Sequence, residues 1–320
     1  MGGRLLVTGG AGLIGSALCE SALAAGESVT VLDNLSSGRR ENLPDHPRLR
    51  VIVGDVCEDA LVGSLVRRCD RVAHLAAAVG VANVLARPTG TLRQSLLGTE
   101  NVLRHAAAAR RPVFFASSSE VYGDAGQEPL HEGRELGFGS PEMLRFGYAA
   151  GKAAGEALAL AYAREYALPV SVGRFFNVTG PRQRASQGVI PRLVKQARAG
   201  GPLTVHGDGL QTRSFLDASD AGEYVARLLD LARPGGILAN VGRDEPVTIL
   251  DLALRIRSLV DPSVAVAMAE PRYGPGFAAI RHRRPDTTKL VALTGYIARM
   301  PLDATLRACC AARPAAPAVP

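Results

Sequence analysis

The sequence is poor in the features that would mark a secreted, membrane or nucleic-acid-binding protein. Cysteine is sparse and odd in number, and Cys19, Cys57, Cys69, Cys309 and Cys310 cannot all pair, so a disulfide framework is excluded. No CxxC occurs, and no His/Cys cluster has metal-ligand spacing, so no metal site is expected. No apolar run approaches the roughly 18 residues of a membrane span. The first residues read as a strand, LLVTGG, rather than a charged segment followed by an apolar one, so no signal peptide is expected. Lys and Arg exceed Asp and Glu by 37 to 30, yet the surplus is scattered and forms no basic block. The expectation is a cytoplasmic protein with no nucleic-acid or membrane partner. The mild positive bias suits a small anionic ligand.

The 320 residues are enough for one large α/β domain or two modest ones. The first half alternates strand-like and helical stretches. Strands are expected at Arg4–Thr8, Ser28–Leu32, Leu49–Val53, Arg71–Leu75, Pro112–Ala116 and Pro169–Val172. Helices are expected from Leu13, over Glu58–Arg68, from Leu92 to Arg110, and from Gly147 to about Tyr166. This alternation predicts a Rossmann-type doubly wound parallel sheet with helices on both faces. The second half is less regular, with helices at Ile190–Arg198, Asp217–Leu231 and Thr248–Leu259, and a turn-rich hairpin over Gly200–Gly209. Residues 1–175, with a contribution from about 216–243, are expected to form the dinucleotide domain. Residues 176–215 and 244–311 are expected to form a smaller α/β substrate domain, and 312–320 a disordered tail.

GGAGLIG, Gly9–Gly15, falls between a strand and a helix. Gly9, Gly12 and Gly15 give a tight turn, close approach to a pyrophosphate and close helix–strand packing, with the helix N-terminus facing the phosphates. Asp33 ends the second strand, where an acid can take ribose hydroxyls, and Asp55 follows the third at the adenine rim. A carboxylate at Asp33 repels a 2′-phosphate, so NAD is expected over NADP. Arg39 and Arg40 lie in the loop beyond and weigh less. The candidate cofactor contacts are Gly9, Gly12, Leu13, Ile14, Gly15, Asp33, Asn34, Ser37, Gly38, Asp55, Val56, Leu75, Ala76 and Ala77, together with Tyr148 and Lys152.

Tyr148 and Lys152 are four apart on a helix and share a face. A free phenol near pKa ~10 is a poor base at neutral pH. A nearby ammonium and an oxidised nicotinamide favour phenolate, and the tyrosine can then take a hydroxyl proton while hydride leaves the same carbon. Ser117, Ser118 and Ser119 end the fifth strand, at the sheet edge where ligands of such folds sit.

GGAGLIG, Asp33, SSSEVYG (Ser117–Gly123), Tyr148-x-x-x-Lys152 and RFFNVTGPRQ (Arg174–Gln183) together resemble an extended short-chain dehydrogenase/reductase of the nucleotide-sugar epimerase/dehydratase group, over about residues 4–310. The resemblance implies Tyr148 as base, Lys152 on the nicotinamide ribose and Ser118 on the sugar 4-hydroxyl. It implies Asn177 on the sugar nucleotide, and Leu203–Phe215 around the base and diphosphate, with Arg213 as phosphate ligand. Ser119, Val189, Thr204, His206 and Arg272 complete the candidate substrate set. Ser95 departs from the Asn common at that helix position. The partner expected is a UDP-sugar, and the group's habit implies a homodimer through helices including the Tyr148 helix.

The stretch YGPGFAAIRHRRPDTTKL, Tyr273–Leu290, resembles members that handle UDP-glucuronate, notably decarboxylases, in which an arginine beside an HR-x-P signature meets the sugar carboxylate. That residue maps to Arg283, with Arg281 and Arg284 as alternatives in register. Glu120, in the SEVYG frame, resembles a glutamate that acts during carboxylate loss. Overall texture resembles bacterial epimerases, so the expected reaction is 4-epimerisation of UDP-glucuronate to UDP-galacturonate through a 4-keto intermediate. Decarboxylation to a pentose is the alternative, and a UDP-glucose 4-epimerase the third. A redox-sensing binder without turnover is disfavoured by the intact Ser118, Tyr148 and Lys152.

Overall fold

The computed structural model describes residues 2–77, 87–124, 126, 129–137, 139–140, 145–270 and 280–312. The elements in chain order begin with β1 (Arg4–Thr8), α1 (Leu13–Ala24), β2 (Ser28–Asp33), β3 (Leu49–Val53), α2 (Asp59–Val66) and β4 (Arg71–His74). Next come α3 (Pro88–Arg93), α4 (Thr99–Ala109), β5 (Val113–Ser118), α5 (Arg145–Glu165), β6 (Val170–Phe175) and β7 (Val178–Thr179). They continue with α6 (Val189–Arg198), β8 (Leu203–His206), β9 (Thr212–Ser214), β10 (Leu216–Asp217), α7 (Ala218–Asp230) and β11 (Ile237–Val241). The last are β12 (Pro246–Thr248), α8 (Ile249–Val260), β13 (Val266–Ala269), β14 (His282–Arg283), α9 (Thr288–Thr294) and α10 (Leu302–Ala311).

Seven strands form one parallel sheet in the order β11-β6-β5-β4-β1-β2-β3. This is the doubly wound α/β fold expected from the alternation. The order reverses at β1, so a crevice opens beyond the carboxyl ends of β1 and β4. The central strands β1, β4, β5 and β6 are mostly apolar because both faces are covered, whereas the edge strand β3 is half-exposed. Phe114 and Phe115, adjacent on β5, point to opposite faces and enter separate cores. One core lies against α1 and α7, the other against α2, α4 and α5. Removing either fully buried ring would cost about 3–5 kcal/mol. Helices α1 and α7 cross closely at Gly222, where a Cβ would lie 2.9 Å from the Leu18 amide nitrogen.

A third core joins α6, α8 and α10 to β8. Around it lie the sheet β12-β9-β14 and the pair β13-β8. Asp217 and Thr248 cap α7 and α8, accepting from the Ser219 and Asp251 amides. Two expectations change. Gly200–Gly209 is not a hairpin, because its strand β8 pairs in parallel with β13, far along the chain. The single helix expected over Leu92–Arg110 is broken by a π-turn at Gln94–Gly98 between α3 and α4. All but the first residue of the tail expected at 312–320 lies outside the described residues. No helix among the described residues is long and apolar enough to cross a membrane.

Candidate active site

Parallel strands place every carboxyl end at one sheet edge, and the sequence loads that edge with polar groups. β1 runs into the Gly9–Gly15 turn, β2 ends on Asp33, β4 leads to Leu75–Ala77, and β5 ends on Ser117 and Ser118. They line a cavity of about 320 Å³ that also includes Tyr148, Lys152 and Asn177.

The glycine turn is sterically determined. Gly9 has φ +72°, and a Cβ there would sit 2.7 Å from the Ala76 amide nitrogen. A Cβ on Gly15 would sit 2.3 Å from the Gly9 carbonyl oxygen, so the helix can start against the turn only without one. Asp33 is 8% exposed and accepts from the Ala11 amide at 2.9 Å and the Leu35 amide at 2.8 Å. Burial holds its carboxyl above the usual carboxylate range, against those two amides. Each oxygen retains a lone pair toward the cavity, which fits ribose hydroxyls. Leu13, Ile14, Asn34, Ser37, Val56, Leu75, Ala76 and Ala77 line the cavity as expected. Gly38 and Asp55 stand behind the lining. Gly38 lies against Ala11, and Asp55 accepts from the Asn34 carboxamide at 2.9 Å. Burial opposes the Asp55 charge, but the Cys57 amide and the Asn34 carboxamide outweigh it and hold the carboxyl below its usual range. The turn, the acid and the helix start fit a dinucleotide.

Tyr148 and Lys152 share a face of α5, with the Lys152 Nζ 6.0 Å from the Tyr148 ring centroid. Tyr148 is hydrogen-bonded to the Ser118 side chain. Burial pushes the phenol up to about 12, and the Glu120 charge adds to this while the Ser118 bond opposes it. Burial pulls the Lys152 ammonium down to about 8, with Glu156 resisting. In the protein alone, burial dominates the phenol; the acidification expected from the sequence draws also on the positive charge of an oxidised nicotinamide. Lys152 donates to the Ala116 carbonyl at 2.6 Å and lies 5.0 Å from the Phe115 ring centroid.

Glu120 follows Ser118 by two residues, and its amide donates to the Ser118 Oγ at 3.2 Å. Arg283 on β14 reaches across and pairs with Glu120, with a further contact to the Gly123 carbonyl at 3.3 Å. The Arg283 side chain is 4% exposed, and its Nε has no partner among the described residues. The alternatives in register point elsewhere: Arg281 pairs with Asp208 and Arg284 with Asp244, both at exposed sites. Of the three, only Arg283 reaches the segment that follows Ser118, through Glu120 and the Gly123 carbonyl; neither Arg283 nor Glu120 lines the cofactor cavity.

The other candidate substrate contacts are more dispersed. Asn177 turns with φ +31° at the mouth of the cavity and donates to the Ser214 carbonyl at 3.1 Å. Arg213 on β9 directs its guanidinium to the carbonyls of Thr212 and Ile280, at 2.6 and 2.8 Å. Thr204 accepts from Gln196, His206 bonds the Glu270 carbonyl, Val189 opens α6, and Ser119 is buried behind the strand end. Asn177 lines the cofactor cavity, whereas Arg213, Thr204, His206, Val189 and Ser119 do not. Arg272 lies outside the described residues. The Ser95 hydroxyl is buried with no partner among the described residues, facing Gly151.

Sequence reasoning missed a buried network one turn beyond Lys152. Glu156 accepts both Arg174 Nε at 2.9 Å and Nη2 at 2.7 Å, and also the Ser117 hydroxyl. Arg174 donates to the Tyr122 hydroxyl at 2.9 Å, which donates to Asn240 at 2.7 Å. The spacing Tyr148, Lys152, Glu156 was the available signal. Also missed was His74, buried between the Thr8 and Thr99 hydroxyls at 2.7 and 3.2 Å and pushed down to about 3 by burial.

With this geometry established, residues 5–242 match the NAD dependent epimerase/dehydratase family, and the chain belongs to it. It is 36% identical over 294 residues to the UDP-N-acetyl-alpha-D-glucosaminuronate decarboxylase of Bacillus cytotoxicus, covering 90% of each chain. It is 35% identical over 298 residues to UDP-glucuronic acid decarboxylase 4 of Arabidopsis thaliana, covering 92% of this chain and 64% of that one. Among solved structures it resembles MoeE5 in complex with UDP-glucuronic acid and NAD, with TM-score 0.83, 30% identity, and 96% and 97% of the two chains covered. The chain is an enzyme of this family, and its cofactor is NAD.

Proposed function

We propose that the protein decarboxylates a UDP-linked uronic acid, with glucuronate or its 2-acetamido counterpart as the sugar. This revises the epimerisation expected from sequence texture. The observation that carries the proposal is the Arg283–Glu120 pair, a buried guanidinium held by a glutamate whose amide bonds the Ser118 hydroxyl; we assign it the sugar carboxylate, which would replace or join the Glu120 carboxylate on it. The two decarboxylase relatives support the same choice.

The residues have distinct tasks. Ser118 and Tyr148 hold the sugar 4-hydroxyl, and Tyr148 removes its proton. NAD held at the Gly9–Gly15 turn would supply the hydride acceptor for C4. Lys152 supplies the positive charge under the phenol and the donor for the nicotinamide ribose. The oxidised sugar is then a β-keto acid. When its C5–carboxylate bond breaks, carbon dioxide leaves and the electron pair passes into an enolate on C4 and C5. Arg283 sets the carboxylate plane against that carbonyl, and Glu120 sets Arg283. Arg213 and Asn177 are assigned to the diphosphate end. An epimerase would hold the same carboxylate in an orientation poor for cleavage, so the two fates differ in geometry and not in residue inventory.

The test is to incubate the protein and NAD with UDP-glucuronate and, separately, UDP-N-acetylglucosaminuronate, resolve products by NMR and trap released carbon dioxide. Pentose or 4-keto-pentose with stoichiometric carbon dioxide is expected. Galacturonate-type product without carbon dioxide overturns decarboxylation and restores epimerisation.

A further inference from the structure

A second groove, enclosing about 770 Å³, lies between the loop after β2 and helix α6. Its walls carry Arg39, Arg182, Arg184, Lys195 and Arg198 against a single acid, Glu41. Most of this charge has no acidic partner among the described residues, with Glu41 offsetting Arg39 in part. Arg182 is neutralised by Glu20. Among the described residues, Arg198 donates to the carbonyls of Cys310 and Ala312, at 2.6 and 2.5 Å, and Arg184 to the Gly38 carbonyl at 3.1 Å. Carbonyls satisfy the N–H groups and leave the charge. Arg39 is half-buried, and its Nε has no partner among the described residues. Burial and the neighbouring Arg184 together pull its guanidinium below the ordinary arginine range. Lys195 is exposed on α6.

Like charges gathered in one concavity repel, and they concentrate an anion of opposite sign. Guanidinium forks suit phosphate oxygens, and more than one cation suits more than one phosphate. The groove also adjoins the cofactor cavity, with Asn42, Arg182 and Gln183 lining both. The Arg39 amide and the Asn42 side chain both donate to the Ala11 carbonyl, at 3.0 and 2.8 Å, and the Ala11 amide holds Asp33. An anion bridging Arg39 to Arg184 and Lys195 would therefore tie the loop that carries the ribose acid to α6.

We propose that this groove binds a diphosphate-type anion while NAD is in place, and that its occupancy slows NAD release. The site is separate from the sugar chemistry and does not depend on which uronate is processed. The test titrates inorganic pyrophosphate into the NAD-saturated protein by calorimetry, with chloride controls at equal ionic strength. Arg39→Gln and Lys195→Gln are compared with the wild type. A binding component weakened about tenfold or more is expected in both variants, because each removes a charge-assisted contact. Unchanged NAD affinity in the variants reports that they are folded. Pyrophosphate is also expected to slow NAD release in stopped flow for the wild type, and to do so less in either variant. Adenosine diphosphate binding more tightly than pyrophosphate assigns a nucleotide as occupant, and equal affinity assigns the bare anion. Identical isotherms for all three proteins, or mutual exclusion of pyrophosphate and NAD, overturns the proposal.

Discussion

Replacing Arg283 by alanine separates recognition of a carboxylate from the rest of the chemistry. The wild-type side chain is 4% exposed and faces a Glu120 side chain that is 31% exposed. Truncation removes the group assigned to the substrate carboxylate, and charge-assisted hydrogen bonds of this kind are worth about 1.5–3 kcal/mol. The kcat/KM for a UDP-uronate should therefore fall by about ten- to a hundredfold. Without the Arg283 charge between them, the Glu120 carboxylate also repels the substrate carboxylate. The neutral UDP-glucose meets neither effect, so its slow oxidation, followed as NADH absorbance, should change little. The stability cost should stay well below the about 3–5 kcal/mol of breaking a fully buried pair, because water reaches Glu120. The Arg283→Ala/Glu120→Gln double variant should lose less uronate activity than the two single losses combined, since the second change removes the repulsion. Equal losses on uronate and neutral substrates would refute the assignment and reduce Arg283 to a structural residue.

Tyr148→Phe should lower turnover by about a hundredfold or more while NAD binding, measured by fluorescence quenching, stays intact; retained turnover would remove Tyr148 as the base. Lys152→Met should be inactive yet at least as stable as the wild type at pH 7. The Lys152 value near 8 in the fold, against an ordinary 10.5, corresponds to about 3 kcal/mol at about 1.4 kcal/mol per pH unit. The folded state binds fewer protons than the unfolded one between those values, so wild-type stability rises with pH across the window from 8 to 10.5. The advantage of Lys152→Met in urea unfolding should thus be largest below pH 8 and vanish above 10.5; a difference independent of pH would contradict the burial argument.

The parts of the site legible in the sequence are those whose cause is local. The Gly9–Gly15 turn can be read because a side chain at Gly9 or Gly15 collides with backbone only a few bonds or one strand away. The shared face of Tyr148 and Lys152 follows from helical spacing alone. The parts that were not legible depend on partners distant in sequence. β8 looked like half of a hairpin because its own turns are glycine-rich, whereas its partner β13 lies some sixty residues on. The π-turn at Gln94–Gly98 interrupts what reads as a continuous helical pattern, and no proline or glycine pair inside it announces the break. Which of Arg281, Arg283 and Arg284 turns inward could not be read from three basic residues in one loop. It is decided by β14 pairing with β9, which sets Arg283 opposite Arg213 and leaves its neighbours to Asp208 and Asp244. The choice between decarboxylation and epimerisation is less legible still, because in the proposed chemistry it turns on the orientation of one carboxylate.

The buried Arg174–Glu156 pair is better explained by positioning than by stability. An ion pair taken out of water gains little over a well-packed apolar pair, because desolvation offsets the attraction. Its value here lies in what each partner also holds. Glu156 takes the Ser117 hydroxyl, next to Ser118, and its charge resists the fall in the Lys152 pKa. Arg174 takes the Tyr122 hydroxyl, and Tyr122 sits on the segment between Glu120 and Gly123, the two groups that grip Arg283. Tyr122 in turn bonds Asn240 at the end of strand β11. The network therefore fixes β5, α5, β6 and β11 to one another beneath the reacting groups. In the proposed reaction a sugar hydroxyl meets Ser118 and Tyr148 while its carboxylate meets Arg283, and a polar network with every member satisfied holds those points at a fixed spacing more tightly than apolar contacts, which tolerate repacking.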